Sequence, residues 1–144
     1  MPPLSGRSYL ESDMLKLITK LAKTTAVTVA AAAALLAAEV DLTDIDTLLM
    51  NDMEGTVKQL EPLIGGRNSA AATEAAVFLE EGFDWTEQYF SAKGVADGAK
   101  LARDGKQRAQ AVRTALAAND FKAAAAAARE VAKSCRACHE VYRP

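Results

Sequence analysis

Residues 119–142 read NDFKAAAAAAREVAKSCRACHEVY, and the kind of fold the chain can make turns on this stretch. Asn119 and Asp120 suit a helix start, because a short side-chain oxygen can accept from the free N–H groups of a first turn. The six alanines Ala123–Ala128 follow, and alanine has the highest helix propensity of any residue. Val131, Cys135, Cys138 and Tyr142 recur at steps of four, three and four, which is one face of a helix. The spacing predicts a helix capped by Asn119 or Asp120 and running through Tyr142, with both thiols turned inward. An alanine face buries little area per residue. A flat apolar bound group would supply the missing bulk; good helix propensity alone is the other reading of the alanines, and both can hold.

Cys135, Cys138 and His139 spell C-x-x-C-H, the attachment signature of a c-type haem. The chemistry needs this spacing. Two thiols add across the two vinyl groups of one haem and form thioether bonds. On a helix Cys135 and Cys138 share a face as i, i+3 neighbours. His139 is i+4 from Cys135, so its imidazole reaches the iron as proximal ligand. Other uses of two cysteines fit less well. A thioredoxin-like C-x-x-C belongs in a βαβ context that this chain lacks. A structural zinc site takes four ligands, and two Cys with the single His make three. A disulfide inside one helical turn closes a very small, strained loop.

The rest of the chain supplies the context. At 144 residues and 50% apolar content it is one domain with enough material for a core. A net charge of −2 gives no sign of a nucleic-acid partner. Abundant alanine, four prolines and scarce β-branched runs favour helix nearly throughout.

Residues 1–13 show no helical or strand period, and Met14 reads as the biological start. Lys16, Lys20 and Lys23 precede an apolar stretch from Ala26 to Ala38, broken only by Thr28. A positive region, then an apolar region of 13 residues ending in small ones, reads as a secretory signal peptide. The run is short for a membrane span, which needs about 20 residues, so no stable membrane anchor is expected. Residues 1–38 are therefore an N-terminal extension and signal peptide, and residues 39–144 a four-helix domain. That domain carries 13 basic and 17 acidic residues. Its net negative charge predicts steering of a basic partner at low salt.

Three more helices precede the one at the C-terminus. The first starts at an acid-rich cap (Asp41, Thr43, Asp44). Its apolar set runs Leu42, Ile45, Leu49, Met53, Val57, Leu60, Ile64, and Gly65-Gly66 ends it. Pro62 sits near that end and frays or bends the last turn. The second begins at Asn68 or Ser69 and ends before Gly94. Its aromatics fall on two stripes, 78/85/89 and 79/83/86/90. Gly82 within it costs about 1 kcal/mol against alanine and marks a close helix crossing or a haem contact. The third follows Asp97, with Leu101, Val112 and Leu116 on its apolar side, and stops around Ala118-Asn119. Short turns between four helices make consecutive ones antiparallel. The expected fold is all-α: an up-down-up-down four-helix bundle with a covalently bound haem c, one per chain, and the first and fourth helices side by side.

His139 is the only histidine, so a second imidazole ligand cannot come from this chain. Past residue 38 the methionines are Met50 and Met53, both on the first helix. A thioether sixth ligand comes from one of these. Met53 lies within the apolar arc and Met50 at its edge, which suits a residue reaching towards a cofactor beside the core. The alternative is that both are gap-filling core methionines.

Four helices with one C-x-x-C-H near the C-terminus, followed by Tyr142-Arg143, resemble the class II c-type cytochromes, the cytochrome c′-like four-helix family. The resemblance covers about residues 41–144. It implies haem attachment at Cys135 and Cys138, with His139 proximal and Arg143 near the haem edge. Leu49-Met50-Asn51-Asp52 is similar to the Leu-Met-Lys-Asp stretch of low-spin members, which implies Met50 as sixth ligand. The Tyr-Arg-Gln element common before that position is here Ile45-Asp46-Thr47. High-spin members instead leave the iron five-coordinate and bind small gases.

The expected function is a periplasmic mono-haem electron carrier with a redox partner protein, and the family also allows a homodimer. The alternative is a five-coordinate cytochrome c′-type protein that binds NO or CO. No nucleophile–base pair or spare histidine supports an enzyme.

Overall fold

The computed structural model describes residues 40–143. The expected signal peptide and residues 1–13 lie outside the described residues. Four helices account for most of the described residues: α1 (Thr47–Gly65), α2 (Ser69–Ala92), α3 (Ala96–Ala117) and α4 (Phe121–Tyr142). No strand occurs among the described residues. The packed pairs are α1–α2, α2–α3, α3–α4 and α1–α4, with no diagonal pair. That ring is the up-down-up-down four-helix bundle. None of these helices is long and apolar enough to cross a membrane.

Each connection is three residues long and is built the same way. The N–H groups of Arg67 and Asn68 donate back to Ile64 and Leu63. Those of Gly94 and Val95 donate to Ser91 and Phe90, and those of Asn119 and Asp120 to Leu116 and Ala115. Paired bonds of this kind satisfy the last carbonyls of a helix and need one left-handed residue. Gly94 supplies it at φ 73° after α2, and Asn119 at φ 56° after α3. After α1 the left-handed residue is Arg67 (φ 56°), not one of the two glycines before it. Its guanidinium then lies over the Phe121 ring, 5.2 Å from the centroid. The next helix starts at once, and Asn68 and Asp120 accept from Ala71 and Ala123 N–H groups.

The start of α1 differs from the expected acid cap. Asp41 is occupied by Thr43, whose N–H and hydroxyl both donate to its Oδ1. Asp46 caps the helix instead, accepting from Leu49 N–H at 2.9 Å. Leu42 and Ile45 therefore lie in a turn before α1. Pro62 does not end the helix: its carbonyl accepts from Gly66 N–H at 2.9 Å. Helix α3 begins at Ala96, one residue before Asp97 rather than after it.

The core runs the length of the bundle. Met53, Leu60, Ile64, Leu79, Phe83, Val112, Leu116 and Val131 fill it, with alanines from α2, α3 and α4 between them. Of the two aromatic stripes on α2, the one holding Leu79, Phe83, Thr86 and Phe90 is buried. Trp85 and Tyr89 on the other stack on each other, with centroids 5.3 Å apart. The buried face of α3 starts with Gly98, Ala99, Ala102 and Gly105 rather than with Leu101. The small residues make room for rings: Phe90 lies over Gly98, and Phe83 over Gly105.

Candidate functional site

Helix α4 carries the cysteine–histidine motif in its last turns. Its buried line is Ala124, Ala128, Val131 and Ser134. Ser134, not Cys135, takes the deepest position, and Arg108 of α3 donates to its hydroxyl at 2.6 Å. Cys135, Cys138 and His139 are half-buried around this line, and both thiols are free. Helical phase separates them: at about 100° per residue, Cys135 and His139 turn about 40° apart on one flank. Cys138 turns back towards the bundle interior.

The neighbours identify the flanks. Arg108 reaches Ser134 and the Glu130 carbonyl, so that side of α4 faces α3. Arg129 pairs with Glu61 at 3.7 Å, so the opposite side faces α1. Cys135 and His139 lie on this α1 side, and the Glu54 carboxylate of α1 is close enough to act on both. Cys138 instead feels Asp97, in the first turn of α3. Tyr142 closes the end of the bundle. Its ring packs against Phe90 at 4.7 Å.

Burial sets the protonation of the motif. It pushes the Cys135 thiol up, and Glu54 adds to the shift. The Cys138 thiol is pushed up to about 11, first by burial and then by Cys135 and Asp97. His139 is lowered, mainly by burial and then by the Arg143 charge, with Glu54 opposing. Both cysteines are thus thiols at neutral pH, and the imidazole favours its neutral, ligating form.

The two methionines of α1 have different surroundings. Met53 is 5% exposed, and its thioether lies over Gly82 on α2. Met50 is half-buried against the edge of the core. By helical phase it lies about 40° from Glu54, on the flank turned to α4. The seam between α1 and α4 thus brings together Cys135, His139 and the Met50 side of α1. Arg143 follows one turn later, exposed, its N–H donating to the His139 carbonyl at 3.1 Å. Glu54 was not singled out from sequence. Its spacing of four from Met50 is the signal that places it on the same flank.

The donor set is two thiols and one imidazole. No group of three His, Cys, Asp or Glu side chains that could hold a bare metal ion occurs among the described residues. The set fits a haem, whose porphyrin brings four nitrogen ligands of its own and whose vinyl groups take the two sulfurs.

An open groove of about 440 Å³ lies elsewhere, on the outer α2–α3 face. Lys106 pairs there with Asp84, and Arg113 with Glu80 at 3.3 Å. These charges satisfy one another, so the groove is not a rival to the α4 motif.

No family model matches the chain, and neither a curated protein nor a solved structure matches it.

Proposed function

We propose that the protein is an exported, periplasmic mono-haem c-type cytochrome that carries single electrons. The observation that supports this most is the end of the bundle: Cys135, Cys138 and His139 share the last turns of α4, and the α1 flank that carries Glu54 and Met50 faces Cys135 and His139. A haem bound there supplies a one-electron Fe(III)/Fe(II) couple. The residues do the rest. Cys135 and Cys138 would hold the haem by thioether bonds, each S–H giving its sulfur to one vinyl carbon and its hydrogen to the neighbouring carbon, so no oxidant would be consumed. His139 offers a neutral nitrogen as proximal ligand. Met50 offers a thioether as sixth ligand, which favours the ferrous state. Met53 is held by packing over Gly82 and is the weaker choice.

The test is expression with haem-attachment machinery, followed by mass spectrometry and optical spectra. The expected result is one haem per chain, lost in the Cys135→Ala/Cys138→Ala variant, and a low-spin ferric spectrum with a thioether charge-transfer band. Met50→Ala should become high-spin, and Met53→Ala should stay low-spin. A high-spin wild type whose ferrous form binds carbon monoxide readily would make it a five-coordinate gas-binding protein instead. Unmodified sulfurs in the exported protein would end the proposal.

A further inference from the structure

Charge is divided unevenly around the bundle. Helix α2 carries five acids and no base, and α1 three acids against Lys58. Helix α3 carries five bases against two acids, and α4 four bases against two acids, with Arg143 just beyond its end. The cations of α3 are largely spent on its neighbour. Lys106 pairs with Asp84, Arg103 with Glu87 and Arg113 with Glu80, all across the α2–α3 seam.

On α4, Lys133 pairs with Glu130 and Arg129 reaches Glu61, but the last two arginines of the chain are not spent in this way. Arg129, Arg136 and Arg143 recur every seven residues, about 10.5 Å apart, on the flank that also carries His139. Arg129 reaches Glu61 only at 3.7 Å. Arg136 and Arg143 are exposed and make no ion pair among the described residues. The acids nearby offset them only in part, the Glu54 carboxylate feeling Arg143. Glu54 is paired with Lys58 at 2.7 Å, and exposed Glu140 pairs with neither arginine. The margin of the α1–α4 seam is therefore locally cationic on a domain that is acidic overall. Free guanidinium forks bind carboxylates in two-pronged fashion, a geometry that a lysine cannot match.

We infer that the line Arg129, Arg136, Arg143 is a docking surface for a redox partner protein whose contacting face is acidic. This reverses the basic partner expected from net charge alone, because a patch at the contact outweighs charges more than a screening length away. Protein carboxylates suit it better than an anionic membrane. The line is interleaved with Glu61 and Glu140, and no large apolar side chain on this flank is exposed for insertion. That the partner exchanges electrons rests on the cytochrome reading; the sign of its charge does not.

The test uses the haem-loaded protein at low salt. Amide shifts are recorded on adding poly-L-glutamate, poly-L-lysine, inorganic polyphosphate or anionic phosphatidylglycerol vesicles. Polyglutamate should shift residues 129–143, and an Arg136→Glu/Arg143→Glu variant should lose this while keeping its helical circular dichroism. In parallel, ferricyanide should oxidise the ferrous protein more slowly as salt rises, despite the negative net charge. The double variant should be slower still, by roughly three- to tenfold at low salt. Polyglutamate shifts elsewhere or absent, vesicles or polyphosphate bound more tightly than polyglutamate, or a ferricyanide rate that climbs with salt would overturn the inference. A protein without haem would leave nothing to oxidise but would still bind polyglutamate, so the two failures are separable.

Discussion

The Met53 thioether occupies the notch that Gly82 leaves on the facing helix. A Cβ at Gly82 would fall 2.5 Å from Met53 Sδ and 2.9 Å from its Cγ. Relief requires moving the stem of a buried side chain, not just its tip. Overpacking of this kind costs about 1–3 kcal/mol, against about 1 kcal/mol gained from alanine's helix propensity. Gly82→Ala is expected to lower stability by about 1 kcal/mol in urea titration. In a Met53→Ala background the same change should stabilise, because the new Cβ enters vacated space. An equal loss in both backgrounds would separate the two residues.

Two other glycines should respond with opposite signs. A Cβ at Gly98 would lie 2.5 Å from Phe90 Cδ1 and 2.7 Å from its Cγ. Phe90 is 1% exposed, and its rigid ring is held by Tyr142 on its far side. Gly98→Ala should cost about 2–3 kcal/mol. At Gly55, in α1, nothing lies within 4 Å of the added atom. Gly55→Ala should gain about 0.5–1 kcal/mol from propensity alone. Thermal midpoints moving the same way in both variants would contradict this packing.

Tyr142 and Asp97 predict how stability changes with pH. Burial, and then the Asp97 carboxylate, pushes the Tyr142 hydroxyl from 10.0 up to about 12. In the unfolded chain the phenol ionises near 10, so its contribution is intact below that pH and is lost between about 10 and 12. The neighbouring Tyr142 hydroxyl holds the Asp97 carboxylate below 3.8. Its contribution is present above that value and disappears as pH falls through the lower folded one. Tyr142→Phe should therefore flatten the fall in thermal midpoint on the alkaline side. Asp97→Asn should blunt both limbs. A Tyr142→Phe protein with an unchanged alkaline limb would break the pairing.

The helices were readable because apolar spacing and caps agree along most of the chain. Asn68 and Asp120 cap as their residue types suggest, and Gly94 and Asn119 take the left-handed positions that suit them. The start of α1 was not readable. Asp41, Thr43, Asp44 and Asp46 are all able caps, and only their partners decide between them: Thr43 takes Asp41, and Lys93 takes Asp44 at 2.8 Å. Arg67 was hidden for a related reason: Gly65-Gly66 does mark the end of the helix, but the left-handed residue falls on Arg67 just after it. Along α3, a hydrophobic pattern points to Leu101, while the true inner face is made of Gly98, Ala102 and Gly105. Small residues carry little apolar signal, and only the rings of α2 reveal their purpose. The spacing of Cys135, Cys138 and His139 along one helix was legible, but its sidedness was not. That Cys135 lies on the α1 side while Cys138 turns inward depends on Arg108 reaching Ser134, a long-range bond with no local trace.

The three tight turns tie α1 to α2, α2 to α3 and α3 to α4, and none ties α1 to α4. That edge is the one place where the ring closes without a covalent hinge. Parting it strains no connection, so a rigid plate can slide in from the side while the other three helices hold their shape.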